Sequence, residues 1–309
     1  VQLGAGLEKT GRLSRGSMTR TIQALRICQQ KLRRNKVRRM RLVATEACRR
    51  AENGAEFMQR IQRETGLRLE IIKPEEEAQL AVISCAPLVN RKTHNLLVVD
   101  IGGGSTELVW IDISKVPKAD RAQSIMRLHG GFYQAKTDVP AARVVDWISV
   151  PLGVATLRDQ FSDVEDDAAR FALMSWFFEE NLTDFTPYQS TQSQDHFQIV
   201  GTSGTVTTVA ASHLGLKRYD RTKVDGLRMS STQIDKVIHS YLAMGPAGRR
   251  ADPRIGQDRQ ALIMSGAAIL QALMRCWPTN RLSVADRGLR EGLLYAQMSA
   301  DGVLEEGLS

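Results

Sequence analysis

The feature that most constrains the fold is a strand-like segment, a Gly-rich turn and a second strand-like segment in direct succession. Residues 95–100 form a short apolar run that ends in a carboxylate, residues 101–107 contain three consecutive glycines, and residues 108–111 are again apolar. In a dinucleotide-binding fingerprint the glycines open a helix, whereas a strand follows them here. We therefore predict a strand–turn–strand unit.

This turn carries the residue types that a phosphate site needs. Consecutive glycines allow positive φ angles and close approach to a ligand, and their N–H groups can line an anion-binding concavity. Asp100 can bind a metal or water, and Ser105 and Thr106 can donate to phosphate oxygens. An ordinary Gly-rich hairpin turn is the alternative. The flanking carboxylates of Asp100 and Glu107 favour the functional interpretation.

A second Gly-rich turn lies further along the chain. Residues 201–205 read Gly-Thr-Ser-Gly-Thr and join a predicted strand at 197–200 to a predicted helix at 206–214. The N-terminus of a helix binds anions through its N–H groups and its dipole. The turn is not a Walker A loop, because no Gly-Lys-Ser/Thr follows. A phosphate site and a simply capped turn are equally compatible with it.

Charged residues complete the candidate set. Residues 73–78 place three glutamates in the first turn of a predicted helix, which is usually structural, although one carboxylate could act as a general base. Arg49 and Arg50 follow a predicted strand, and one of them could clamp a phosphate in a bidentate manner. Surface charge is the alternative, and we prefer it for Arg50. Residues 286–292 either line a cleft or begin the last helix.

Helices and strands alternate along the chain, which indicates an α/β sheet. The predicted helices are 17–34, 54–65, 74–85, 153–161, 206–214, 231–244, 258–277 and 288–298. The predicted strands are 37–44, 67–72, 95–100, 108–111, 146–150, 197–200 and 281–285.

Positive charge is concentrated in one segment. Residues 31–50 contain nine Lys or Arg residues against Glu46 alone, so the segment's net charge of 9 − 1 = +8 equals that of the whole chain. Such a patch attracts polyanions, although charge alone favours a solvated helix face and turn. No nucleic-acid-binding motif accompanies it, so we expect no specific nucleic-acid partner.

The remaining composition indicates a cytoplasmic protein. The four cysteines show neither the spacing of a zinc site nor that of a disulfide framework, so we interpret them as reduced thiols. The longest apolar stretch, residues 261–274, is too short to cross a bilayer, and no signal peptide is visible. We expect no membrane partner.

The motifs together resemble a known family. The matching stretches are residues 3–7, 44–49, 76–78, 100–107, 201–205 and 289–292. In this order they resemble the exopolyphosphatase/guanosine pentaphosphate phosphohydrolase (Ppx/GppA) family over essentially the whole chain. The two Gly-rich turns combined with Glu-Glu-Ala at 76–78 form a specific pattern.

The resemblance implies two actin/hexokinase-like (ASKHA, ribonuclease H-like) domains around a cleft. We expect the first domain at residues 1–90, joined by a C-terminal helix at 290–309, and the second at residues 91–289. The family's other phosphate loop precedes the part of the pattern found here, so N-terminal strands of the first domain are expected to be missing. The chain resembles a short form without extra C-terminal helical domains, which favours shorter substrates.

The resemblance also implies a reaction. A member of this family would release the terminal phosphate of inorganic polyphosphate or guanosine pentaphosphate by Mg²⁺-assisted in-line attack of water, and homodimers are common among its members. Glu77 would be the catalytic base, while Asp100 and Glu107 would bind the metal or position the nucleophile. The implied phosphate-binding residues are Arg49, Gly103, Gly104, Ser105, Gly201, Ser203, Gly204 and Thr205.

Two other functions stay open. A kinase or ATPase of the same fold would use similar phosphate loops, but it needs an adenine pocket that the sequence does not identify. A non-enzymatic polyphosphate sensor would not require Glu77, Asp100 and Glu107. The sequence does not separate polyphosphate from guanosine pentaphosphate, because both present a terminal phosphoanhydride.

Overall fold

The computed structural model describes residues 3–132, 140–189, 196–256 and 259–303. The chain divides into two compact units, Val1–Glu77 and Ala78–Ser309. Among the residues described, no helix is both long enough and apolar enough to cross a membrane. The α/β class is confirmed by the elements below, while the predicted domain boundaries stay a prediction.

The first unit is mainly helical. Its helices are α1 (Leu7–Thr10), α2 (Arg15–Arg34), α3 (Glu46–Arg50), α4 (Gly54–Thr65) and the first residues of α5 (Pro74–Cys85). Strand β1 (Val43–Ala44) pairs in parallel with β2 (Glu70–Ile71). Phe57 and Ile61 on α4 are fully buried in the core that α2 and α4 share.

The limits of these elements follow from local chemistry. Helix α4 ends as predicted, because Gly66 takes the left-handed conformation at φ 70° and donates its N–H to the carbonyl of Gln62. Helix α2 begins at Arg15 rather than at residue 17, because the side chain of Ser14 caps it by accepting the N–H of Ser17. The strands expected at 37–44 and 67–72 were too long: each is paired over two residues only, and residues 36–40 are exposed.

The second unit contains a mixed six-stranded sheet. Its strands are β3 (Asn95–Ile101), β4 (Thr106–Asp112), β5 (Arg143–Val150), β6 (Phe197–Thr202), β7 (Arg228–Met229) and β8 (Leu282–Ala285). They lie in the order β5-β4-β3-β6-β8-β7. Strands β3, β6 and β8 are parallel, whereas β4 is antiparallel to β3 and β5, and β7 is antiparallel to β8.

Helices cover both faces of this sheet. They are α6 (Arg121–Met126), α7 (Val154–Gln160), α8 (Asp167–Glu180), α9 (Gly204–His213), α10 (Arg221–Val224), α11 (Ser231–Ala251), α12 (Ile263–Cys276) and α13 (Leu289–Ala300), besides the rest of α5. Leu97 and Val99 face one core, while Leu96 and Val98 face the other. Burial on both faces explains why β3 is continuously apolar.

Helix α8 was not predicted from the sequence. Its buried residues Phe171, Met174 and Phe178 lie at helical spacing, but Leu173 and Trp176 are exposed on the same helix. Apolar residues on the exposed face obscure the amphipathic pattern on which a helix prediction depends. The packing of α8 against α12 decides which apolar residues are buried.

Candidate active site

Polar side chains form a row across the edge of the sheet where β3 and β6 end. Asp100 on β3 pairs with Glu107 on β4 and with Thr202 on β6. Glu107 in turn pairs with Ser149 on β5. Directly opposed residues on neighbouring strands point to the same face of the sheet, with Cβ atoms about 4.5–5.5 Å apart. The two predicted carboxylates are therefore brought together.

The two carboxylates have different environments. Glu107 is buried, and its Oε1 accepts hydrogen bonds from Ser105 Oγ at 2.6 Å and Ser149 Oγ at 2.8 Å. Asp100 is only half-buried. Magnesium is commonly held by one or two carboxylates, with water and substrate oxygens completing its coordination. The described residues contain no cluster of three or more metal-ligating side chains.

The first Gly-rich turn, residues 102–105, is docked on the start of α7. The N–H groups of Val154 and Ala155 donate to the carbonyls of Gly102 and Gly103 at 3.0 and 2.9 Å. The carbonyl and the N–H of a trans peptide point in opposite directions. The N–H groups of Gly103 and Gly104 therefore point away from α7, as an anion-binding turn requires.

At this contact Gly102 and Gly153 serve close packing rather than positive φ. We expected positive φ angles here, but Gly102 and Gly103 are not among the left-handed residues of the described chain. A Cβ on Gly102 would lie 2.9 Å from the Ser105 carbonyl oxygen. A Cβ on Gly153 would lie 2.5 Å from the backbone of Gly103. The start of α7 can approach the turn this closely only because Gly153 lacks a side chain.

The second Gly-rich turn, residues 201–205, is both a cap and part of a ligand-sized cavity. Ser203 is the N-cap of α9, and its Oγ accepts the N–H of Val206 at 3.1 Å. Thr205 is buried against α12, where a Cβ on Gly266 would lie 2.0 Å from the Thr205 hydroxyl oxygen. The turn thus presents the N-terminus of a ten-residue helix in a rigid setting.

One cavity of about 230 Å³ is lined by both turns. Gly102 and Gly103 lie on one side of it, and Gly204 and Thr205 lie on the other. The sequence separates these turns by about a hundred residues, and the parallel pairing of β3 with β6 brings them together. Of the predicted phosphate-binding residues, Gly104, Ser105, Gly201 and Ser203 belong to these turns without being among the described lining residues of the cavity.

Arg259 also lines this cavity and was missed by the sequence analysis. Its guanidinium donates to the carbonyl of Gly204 and to Thr208 Oγ1 at 3.1 Å. The side chain is exposed, so it presents a cation at the second Gly-rich turn. The sequence predicted Arg259 to lie inside a helix at 258–277, whereas α12 begins only at Ile263 and Arg259 precedes it.

The segment before α13 supports the end of β6. The N–H of Gly288 donates to Glu291 Oε2 at 2.9 Å, which is a capped helix start. The hydroxyl of Thr202 donates to the carbonyl of Arg287, whose guanidinium pairs with Asp225. The capping alternative for residues 286–292 is therefore confirmed.

A second group of predicted residues lies in the first unit. Arg49 donates to Glu77 Oε2 at 3.1 Å, to Glu46 Oε2 at 2.7 Å and to the carbonyl of Ile72. Helix α3 supplies Glu46 and Arg49, and the first turn of α5 supplies Glu77. The arginine is therefore fixed in place by two carboxylates.

The environment of Glu77 changes its acidity. Burial raises the pKa of Glu77 above its ordinary value, and the hydrogen bond and charge of Arg49 offset part of that effect. Glu76, its neighbour, pairs instead with Arg41 and has a side chain that is 34% exposed. Glu77 is thus the buried carboxylate of the adjacent pair.

The basic segment has a mixed environment. Residues 33–40 are exposed, whereas Arg41 pairs with Glu70 at 2.5 Å. Arg50 pairs with Glu8 at 2.9 Å, and both are about one-third exposed. This exposed ion pair agrees with the interpretation of Arg50 as surface charge.

This chain is similar to known proteins in both sequence and structure. The model of the Ppx/GppA phosphatase family matches residues 1–301. A guanosine-5'-triphosphate,3'-diphosphate pyrophosphatase of Aeromonas salmonicida (strain A449) is 28% identical over 300 residues, which cover 96% of this chain and 52% of that protein. The chain therefore spans about half the length of the curated relatives it matches.

Solved structures give the same family. The Aquifex aeolicus member of the Ppx/GppA family is similar with a TM-score of 0.71 and 30% identity, covering 99% of this chain and 88% of that one. An exopolyphosphatase from Cytophaga hutchinsonii has a TM-score of 0.78, with coverage of 96% and 87%. At 21% identity the second likeness shows the fold alone.

Proposed function

Because this chain belongs to the Ppx/GppA phosphatase family, we propose that it is a phosphohydrolase that releases a terminal phosphate from a phosphoanhydride substrate. The family and the actin-like fold expected from the sequence are both confirmed. The observation that carries the proposal is the cavity lined by both Gly-rich turns, beside the paired carboxylates of Asp100 and Glu107.

The two turns would hold the phosphates. The N–H groups of Gly103 and Gly104 point away from α7, and the start of α9 adds those near Gly204 and Thr205. Backbone donors oriented in advance stabilise negative charge without reorganising during the reaction. The predicted residues Gly201 and Ser203 would shape this turn, since Ser203 caps α9.

Glu77 is the proposed general base. A carboxylate with a raised pKa is a stronger base toward water than an ordinary one, so its burial suits the role. Arg49 would hold this carboxylate in position through its hydrogen bond, besides its predicted contact with phosphate. The attacking water would give its proton to Glu77 as its oxygen bonds to phosphorus and the bridging oxygen leaves.

A divalent cation, with Mg²⁺ the expected one, would bind at Asp100 and Glu107. Such a cation supplies neutralisation of the phosphate charge. Asp100 is half-buried, whereas Oε1 of the buried Glu107 already accepts two hydroxyl hydrogens. We propose Asp100 and Glu107 as the carboxylates of the cation site, with Oε1 of Glu107 also fixing Ser105 and Ser149 beside it.

The substrate is proposed to be inorganic polyphosphate or guanosine pentaphosphate. The Aeromonas relative is named for a guanosine nucleotide, and the family pattern covers both compounds. Following the same resemblance, we propose a cytoplasmic enzyme that acts as a homodimer.

The test is phosphate release from both substrates with and without Mg²⁺. We expect Mg²⁺-dependent release from at least one, and the ratio of kcat/KM values identifies the preferred substrate. Transfer of labelled phosphate to an acceptor other than water would support the kinase alternative. Tight binding of polyphosphate with no release from either compound would support the sensor alternative and overturn the proposal.

A further inference from the structure

A second cavity of about 350 Å³ lies in the Ala78–Ser309 unit and has no role in the proposed reaction. Four arginines line it: Arg158, Arg170, Arg249 and Arg250. Asp167 is the one carboxylate among its described lining residues. The described lining side chains therefore carry a net charge of 4 − 1 = +3. We call this cavity the arginine pocket.

The arginines are held in place from within the fold. Arg249 is buried, with Nη1 donating to the carbonyl of Tyr241 at 2.7 Å and Nη2 donating to Asp167 at 2.8 Å. Arg170 donates to the same Asp167 oxygen at 3.2 Å. Asp167 thus orients two guanidinium groups while neutralising only one charge. Burial raises the pKa of Asp167, but its bonds to Arg249 and Arg170 outweigh this and lower it.

The remaining two arginines differ, because Arg158 is paired with a carboxylate whereas Arg250 is exposed. Arg158 donates to its neighbour Asp159, which is outside the lining set. Counting Asp159, the pocket still has a net charge of 4 − 2 = +2. Arg250 is exposed at the rim, on the last turn of α11. Grouping guanidinium charges in one cavity is unfavourable unless an anion compensates them.

The arginine pocket lies beside the cavity that the two Gly-rich turns line, which we call the Gly-turn cavity. The first residues of α7 and α12 contribute to both. On α7, Val154 lines the Gly-turn cavity, and Arg158 one turn later lines the arginine pocket. At α12, Ile263 lines the former and Met264 the latter. The two cavities are therefore neighbours, with the starts of α7 and α12 between them.

We propose that the arginine pocket is a second binding site for a phosphoanion with several negative charges. Guanidinium groups in fixed orientations bind phosphate oxygens in pairs, and several of them suit a chain of phosphates better than a single one. The occupant is either a separate oligophosphate or the distal part of a long substrate chain. The second occupant rests on the proposed function, whereas binding of a separate oligophosphate does not depend on it.

The test is calorimetric titration of the full chain with tripolyphosphate and with a long polyphosphate, in buffer without divalent cations. The pocket variant is Arg170→Gln/Arg250→Gln, which keeps the buried Arg249 and its bond to Asp167. The matched control is Arg228→Gln/Arg275→Gln, which removes two charges from the same unit outside the pocket. Arg250→Gln alone replaces the pocket variant if the double variant unfolds.

If the occupant is a separate oligophosphate, two tripolyphosphates should bind per chain. In the pocket variant, one of these two binding events should be lost or weakened about tenfold. If the occupant is the distal part of a substrate chain, one long polyphosphate should bind per protein, and the pocket variant should bind it about tenfold more weakly. Binding of tripolyphosphate should then be the same in the variant and the unmodified chain. The control should bind as the unmodified chain does in both cases. Unchanged stoichiometry and affinity of the pocket variant for both probes would overturn the proposal. A failed phosphate-release assay would leave this result unaffected, so the two proposals fail separately.

Discussion

At the scale of single residues, Glu76 and Glu77 are adjacent in the first turn of α5 but have different surroundings. Glu77 is buried against Arg49, whereas Glu76 is partly exposed against Arg41. Two chemically identical side chains thus differ in their burial and in the arginine that each contacts. Their comparison isolates the catalytic role from the general effect of removing a carboxylate near an arginine.

We predict that Glu77→Gln lowers kcat for phosphate release by about 10²- to 10⁴-fold, because a general base contributes this much. Glu76→Gln, the matched control, should retain kcat within about threefold, since Glu76 has no proposed part in the reaction. Steady-state kinetics with the preferred substrate measures both. Equal losses in the two variants would contradict the assignment of the base.

The pH profile gives a second prediction at this scale. Glu77 acts only when ionised, so kcat/KM should rise with pH through its pKa, which burial raises. Arg49 lowers that pKa, so Arg49→Gln should move the acidic limb to higher pH, and Arg49→Lys should move it less. A profile of kcat/KM against pH tests this. A limb that stays in place in Arg49→Gln would show that another group controls it.

At the scale of elements, the contact between α13 and α5 depends on a glycine. A Cβ on Gly292 would lie 2.1 Å from the carbonyl oxygen of Leu80. The main chains of the two helices are therefore in direct contact at this glycine. Neither helix can give way easily, because the obstructing atom belongs to the main chain. Close helix packing of this kind requires the absence of a side chain.

We predict that Gly292→Ala destabilises the second unit by about 1–3 kcal/mol, because the added methyl group forces the helices apart. Leu294→Ala on the same helix is the control, since Leu294 is 58% exposed and should change stability by about 0.5 kcal/mol or less. Urea unfolding followed by circular dichroism measures both. A stable Gly292→Ala variant would mean that α13 does not pack as described.

At the scale of the whole molecule, the uneven charge distribution affects association with polyanions. Residues 33–40 are exposed and strongly basic, in a chain whose net charge is +8. Attraction over several ångströms increases the encounter rate more than it changes the bound contacts. We therefore expect this patch to affect the rate of association with polyanions more than their rate of dissociation.

We predict that replacing Arg33, Arg34, Lys36 and Arg38 by Gln slows association with labelled polyphosphate by about tenfold at low salt. Dissociation should change little. The effect should disappear near 1 M salt, where charges are screened within about 3 Å. The control removes four exposed charges elsewhere, at Lys217, Arg218, Arg228 and Lys236. Equal slowing of the two variants in stopped-flow measurements would assign the effect to net charge alone.

Local chemistry alone was enough to predict many elements. The strand–turn–strand unit around Gly102 and the ends of α4 and α5 follow from neighbouring residues, because glycine, proline and apolar periodicity act within a few positions. The two Gly-rich turns and the Glu-Glu-Ala pattern were likewise visible and led to the family. These features need no knowledge of which distant residues meet.

Tertiary structure decided the rest. Strand pairing places Asp100 beside Glu107 and Thr202, and packing brings Arg259 to a turn that precedes it by about fifty residues. The short pairing of β1 and β2 and the burial of one face of α8 were equally undetermined by local pattern. The physical reason is that burial, pairing and charge compensation are properties of contacts between distant segments, so the sequence names the groups while the fold decides which of them meet.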